Sequence, residues 1–299
     1  MYKPVKILLQ TTIPFTEDDW HIGRFSLLTN HLKSITNSDG QPLYDVTTRN
    51  REVNDEGFDP LLSELDKSDF DQLWLFALDL GEGLTPTDCA GITRFRQKGR
   101  GILSARDHND MGVSLCTLGG IGAAHYFHSK QLDPDDSRNA RDDPYTVSID
   151  FPNYHSGANG DFQRIEAADH PLFKRPDGSL IAYFPSHPHE GGIGAPNGDD
   201  SASVVATGMS KATKRPFNLV VAFENSTDVH RNRCGRGIAH SSFHHLVDYN
   251  WNIEMGCPSF LEETPGDEYK LRPEKLNDVM QYVTNAAAWL SPTAAAREK

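Results

Sequence analysis

The chain has 299 residues, with 29 Lys and Arg against 42 Asp and Glu, and a formal net charge of -13. So acidic a surface repels nucleic-acid phosphates and anionic lipid headgroups, which excludes both as expected partners. No run approaches the roughly 18 apolar residues of a membrane span, and the length suits one large α/β domain better than several small ones.

The N-terminal "MYKPVKILLQTTIPF" has no small-residue cleavage site and reads as a first buried strand, Val5 to Gln10, so a cytoplasmic location is expected. Further strands are expected at Tyr44 to Arg49, Gln72 to Leu78, Gly101 to Ala105, Leu180 to Phe184, Ser203 to Gly208, Phe217 to Glu224 and Gly235 to Ser242. Several are short continuous apolar runs, the pattern of strands buried on both faces of a parallel sheet. Between the early ones lie helical stretches at Arg24 to Lys33, Pro60 to Leu65 and Thr85 to Gly99. The last has a Thr cap, a Pro in the first turn and a Gly stop. This alternation predicts an α/β fold with a doubly wound, mostly parallel sheet.

Residues Gln131 to His170 are rich in Asp, Asn, Pro and Gly and are expected to form a long insertion, a lid or binding loop within the single domain of residues 1–290. Arg272 to Leu290 reads as a Pro-initiated amphipathic helix with Leu276, Val279, Met280 and Val283 on one face, and residues 291–299 as a tail. The four cysteines Cys89, Cys116, Cys234 and Cys257 are scattered without a CxxC, which argues against a disulfide framework and a thiolate zinc site. "LGGIGAA", Leu118 to Ala124, lacks the glycine spacing and the preceding strand of a dinucleotide loop, so no nucleotide cofactor is expected.

Ligands bind open parallel sheets beyond the carboxyl ends of the strands. Among thirteen histidines, that rule selects three turns. "ARDHND" offers Arg106, Asp107 and His108 after the Gly101 strand. "SHPHEGG" offers His187, His189 and Glu190 after the Leu180 strand. "AHSSFHH" offers His240, His244 and His245 after the Gly235 strand. Asp107, His108 and Glu190 are the acid/base candidates. His187, His189 and His108 are candidate ligands for a divalent metal, zinc or similar. His240, His244 and Arg106 complete the expected pocket. Each turn also has a plainer reading: Asp107 or Asn109 as a helix cap before "DMGVSLCTLGG", "SHPHEGG" as a polar loop capped by a helix or strand end, one of His244 and His245 as a structural histidine, and Arg106 in an ion pair with Asp107. Ser241 and Ser242 beside the histidines suggest a Ser/His hydrolase, but no Gly-x-Ser-x-Gly elbow surrounds them. Arg94, Arg96, Lys98 and Arg100 read as a solvated cationic face near a helix C-terminus.

The order of these motifs, "VKILLQ", "DQLWLFAL", "LTPTDCAGITRFRQKGRGILSARDH" and the late "GRGIAHSSFHH", resembles the class I glutamine amidotransferase-like superfamily, nearest its trehalose-utilisation (ThuA-like) branch. The resemblance implies a flavodoxin-like sheet with a pocket at its carboxyl edge. The superfamily's Gly-x-Cys elbow is replaced here by Ala105 to His108, and its late His-x-Glu dyad by "HSSFHH", so glutamine hydrolysis through a thioester is not expected. The sequence instead points to an enzyme acting on a small polar, carbohydrate-like molecule by hydrolysis or acid/base chemistry with metal assistance. The alternatives are a non-catalytic module that binds a metabolite or protein on the same scaffold, and, third, a cysteine-dependent hydrolase. A small-molecule ligand is the expected partner, and a homo-oligomer is compatible with the sequence.

Overall fold

Leu73, Leu75 and Ile102 belong to one hydrophobic cluster and Trp74, Phe76 and Leu103 to another, although these residues alternate along two short strands. Successive side chains of a strand point to opposite faces, so a continuous apolar run requires cover on both sides. The computed structural model, which describes residues 2–138, 153–228 and 230–292, supplies that cover. Its centre is an eight-stranded sheet: β1 (Val5–Thr11), β2 (Tyr44–Arg49), β3 (Gln72–Phe76), β4 (Gly101–Ala105), β5 (Glu166–Ala167), β6 (Ala202–Met209), β7 (Pro216–Phe223) and β8 (Gly237–His240). The order across the sheet is β2-β1-β3-β4-β8-β7-β6-β5. From β2 to β8 neighbours run parallel; β7, β6 and β5 extend the sheet antiparallel.

Helix α1 (Ser26–Ser34) and the C-terminal α3 (Leu276–Leu290) cover one face, where Leu28, Leu32, Val279 and Val283 pack against Ile7, Leu9, Trp74 and Leu103. Helix α2 (Pro86–Gln97) covers the other, placing Ile92 and Phe95 on Leu8, Leu73 and Ile102. The expected Thr85 cap is present, and Asp88 turns it into a reciprocal capping box at the start of α2. Among the described residues no helix is long and apolar enough to cross a membrane.

Three expectations change. The Leu180 to Phe184 run does not join the large sheet: its strand is Tyr183–Pro185, paired with Phe162–Arg164 in a small separate ribbon. "DMGVSLCTLGG" is not an α-helix but two 3-10 turns, Val113–Thr117 and Gly120–Ala124; Gly112 at φ 88 breaks any continuous helix there. The cationic run is not one solvated face, because Arg96 is buried. Of the expected insertion, residues 139–152 lie outside the described residues, and so do residues 293–299 of the expected tail; the described flanks include short strands at Asn153–Tyr154 and Phe162–Arg164 and the edge strand β5.

Candidate functional site

Because β4 and β8 are parallel with His240 opposite Ala105, the turns that follow them leave the sheet side by side. Backbone bonds join them, from Arg106 N to His240 O at 3.5 Å and from Phe243 N to Arg106 O at 2.7 Å. The third turn reaches the same place without belonging to a parallel strand. Its Glu190–Ile193 segment pairs instead with His125–Tyr126 and Asn153–Tyr154, and Gly191 N donates to Ser241 O at 3.2 Å. Only glycine permits this approach: a Cβ on residue 191 would lie 2.3 Å from Asp107 O and 2.6 Å from Arg106 Nη1.

The three turns meet around the Asp107 carboxylate. Oδ1 lies 3.3 Å from His187 Nδ1; Oδ2 lies 3.2 Å from His108 Nδ1 and 3.5 Å from His244 Nε2. Asp107, His187 and His244 are fully buried, and each offers a ligand atom within 4.8 Å of the others. The rings of His187 and His244 stack at 3.7 Å, and Trp20 stands edge-on to His244 at 4.8 Å. His108 is the rim residue, its side chain 21% exposed. His189 lies beside it, ring centroids 5.2 Å apart, and is held by Glu263 Oε1 at 2.8 Å from Nε2. Burial raises the pKa of Asp107, but the surrounding His187, His108 and His244 outweigh that effect and keep it well below the usual carboxylate range. Burial, with His244 adding to it, drives His187 below its ordinary value, while the Asp107 carboxylate opposes that shift.

The other sequence candidates lie beside this centre. Glu190 is buried in its own network, where Oε1 accepts from Ser156 Oγ (2.9 Å), Gln163 Nε2 (2.6 Å) and His245 Nε2 (3.0 Å), and Oε2 from Ser241 Oγ (2.9 Å). Ser156 links that network to the centre, since His187 N donates to its Oγ at 2.8 Å. His240 turns the other way, with Nε2 2.7 Å from Tyr282 Oη. Arg106 is buried over the Phe127 ring at 4.2 Å and donates to the backbone oxygens of Tyr126 and Asn109; burial brings its pKa down to about 9. Glu263 and Trp20 are absent from the sequence reading: "SFLEETPGD" and "EDDWHIG" carry no spacing that marks them.

None of Cys89, Cys116 and Ser242 is set up as a nucleophile. Burial pushes the Cys89 thiol up to about 12 and raises that of Cys116. Ser242 Oγ is 3.2 Å from His187 Nδ1, the nitrogen that also faces Asp107. A Ser-His-Asp relay needs serine and carboxylate on opposite ring nitrogens, so this trio forms no triad.

No protein-family model matches the sequence, and no curated protein does. Among solved structures, the chain is similar to the glutaminase domain of Trypanosoma brucei CTPS with bound acivicin, at 13% identity and TM-score 0.46, over 97% of this chain and 98% of that one. It is similar to the mmIFT52 N-terminal domain at 11% identity and TM-score 0.49, over 93% and 97%. It is also similar to a cytoplasmic protein of Salmonella typhimurium, STM1381, at 9% identity and TM-score 0.45, over 96% and 97%.

Proposed function

We propose that the protein is a metal-assisted enzyme that hydrolyses a small polar, carbohydrate-like molecule on a doubly wound, amidotransferase-like scaffold of the ThuA-like type. The carrying observation is the buried cluster itself: Asp107, His187 and His244, from three separate turns, each offer a ligand atom within 4.8 Å of the others. A buried charge is costly unless compensated. One divalent cation held by Asp107, His187 and His244 supplies the compensation. One ligand atom from each of the three residues lies within 4.8 Å of the others, and a tetrahedral ion with ligands about 2.0–2.2 Å away would draw them to about 3.3 Å apart. This set retains His187 from the sequence-level ligand trio and exchanges His108 and His189 for Asp107 and His244.

A metal with three protein ligands keeps a position open for water and lowers its pKa to about 7. His189, aligned by Glu263, stands where it can accept or return a proton, and His108 faces solvent at the entrance. Glu190, with four donors on its two oxygens, positions His187 and the Ser241–Ser242 backbone instead of moving protons.

Elemental analysis of the purified full chain is expected to find about one equivalent of zinc or a similar divalent metal, lost in Asp107→Asn and His244→Ala with circular dichroism unchanged. Chelation is expected to lower the melting temperature, because a metal present at 100 times its Kd stabilises the folded state by about 2.7 kcal/mol. A metal-free protein that cannot be loaded, with both variants indistinguishable from wild type, overturns the proposal. A loaded protein that cleaves no glycoside or ester in a substrate panel is a binding module.

A further inference from the structure

Four cations punctuate the end of α2 and the turn after it, and three of them find a carboxylate. Arg94 and Lys98 pair with Asp66, and Arg100 pairs with Asp71. Arg96 is the exception. It turns inward, is 8% exposed, and forms no ion pair among the described residues. Its Nε donates to Gly235 O at 2.9 Å and its guanidinium lies over Phe223 at 5.3 Å, while Nη2 is buried with no hydrogen-bond partner. Asp199 acts on it only through space, with no direct ion pair, and Nη2 lacks the acceptor that burial demands.

Arg96 also lines a cavity of about 180 Å³ whose wall includes Thr93, Ile102, Leu118, Ile121 and Asp228. Gly120, at φ +66, leaves room beside the cation: a Cβ there would come within 2.8 Å of Arg96 Nη1. The lining is otherwise mostly apolar. Asp228 forms no direct ion pair with Arg96; its oxygens accept from the Gln97 and Asn232 side chains and the His230 and Asn232 amides. Its charge disfavours a polyanion on the same wall. At roughly 30 Å³ per water-sized unit, the cavity holds about six non-hydrogen atoms.

The geometry points to a second ligand site: Arg96 binds the carboxylate of a small aliphatic monocarboxylic acid whose chain lies against Ile102, Leu118 and Ile121. The site is at the amino-terminal end of β4, opposite the Asp107 centre, so it is an accessory site and independent of the proposed hydrolysis.

Methyl NMR of the full chain tests this, with butyrate as probe and butyramide and inorganic phosphate as controls. Butyrate is expected to shift the Ile102 and Ile121 methyl signals saturably at millimolar concentration, with butyramide and phosphate at least tenfold weaker. Arg96→Gln weakens butyrate at least tenfold. Thr93→Phe, which fills the cavity and keeps the guanidinium, abolishes the shifts; it decides the matter together with the amide control should Arg96→Gln fail to fold. Asp107→Asn leaves binding unchanged. Equal binding of butyrate and butyramide, stronger binding of phosphate, or no saturation by tens of millimolar overturns the assignment and leaves a cavity that holds water only.

Discussion

Gly191 has no side chain, and for that reason it governs the centre. Its Cα faces Asp107 O and Ser241 O from the third turn, so any Cβ must push three turns apart. Overpacking of this kind typically costs about 1–3 kcal/mol, and here the strain falls on the turns that carry Asp107, His187 and His244. Gly191→Ala is expected to lower the unfolding free energy by that amount, seen as a lower urea midpoint, and to reduce metal content, whereas alanine at Gly178, where nothing lies within 4 Å, should leave the metal in place despite its positive φ. Metal analysis beside urea titration checks both. Asp107, His108, His187 and His244 were legible as candidates because each lies just past an apolar run or in a dense His-bearing turn. Glu190 was legible as a residue but not in its setting: nothing local reveals that Ser156, Gln163, Ser241 and His245 converge on it from separate segments. Arg96 was misread because a helical cationic run carries no local sign of which member faces inward.

At the scale of elements, α2 shows why local rules worked where they did. Thr85 and Asp88 are three residues apart, so a capping box can be read directly from their spacing. Yet Asp88 does more than cap. It also accepts from Asp59 N at 2.8 Å and pairs with buried Arg51 at 2.8 Å, tying the start of α2 to the segment after β2. The two residues should therefore separate in a mutational test. Thr85→Ala is expected to cost about 1 kcal/mol as a lost cap. Asp88→Ala, which leaves the Arg51 charge buried and alone, is expected to cost about 3–5 kcal/mol. Equal losses in equilibrium unfolding would show that the link to Arg51 contributes nothing. The antiparallel direction of β6 and β7 was not legible, because an apolar run has no polarity. The detached Tyr183–Pro185 ribbon was missed for the same reason: burial alone does not say against which strand a run pairs.

The whole molecule carries a pH dependence set by its buried imidazoles. Burial, with the charge of Arg106 adding to it, lowers the pKa of His125 to about 3, and burial likewise holds His240 well below its ordinary value. In the unfolded chain both titrate near 6.5. Below that pH the unfolded state binds the protons and the folded state does not, so stability is full above about pH 6.5 and falls as acid is added. Between pH 7.5 and pH 5 His125 should cost about 2 kcal/mol, with His240 adding a loss in the same direction. Urea midpoints at the two pH values measure the loss, and His125→Gln should remove its share of the slope; a midpoint that is flat or rises toward pH 5 contradicts the assignment of neutral rings.

The place of β8 in the sheet has a consequence for how the chain is made. It sits between β4 and β7, yet it is the last sheet strand to be synthesised. Until Gly237–His240 leaves the ribosome, β4 and β7 face an empty lane, and each presents unpaired backbone along an apolar strand. A nascent chain ending between Phe223 and Gly237 thus has two open edges in the middle of its sheet, the form most apt to pair with a neighbour. Adding the last few strand residues closes both edges in one step. Solubility of ribosome-released fragments should rise sharply across that short interval and not in proportion to length.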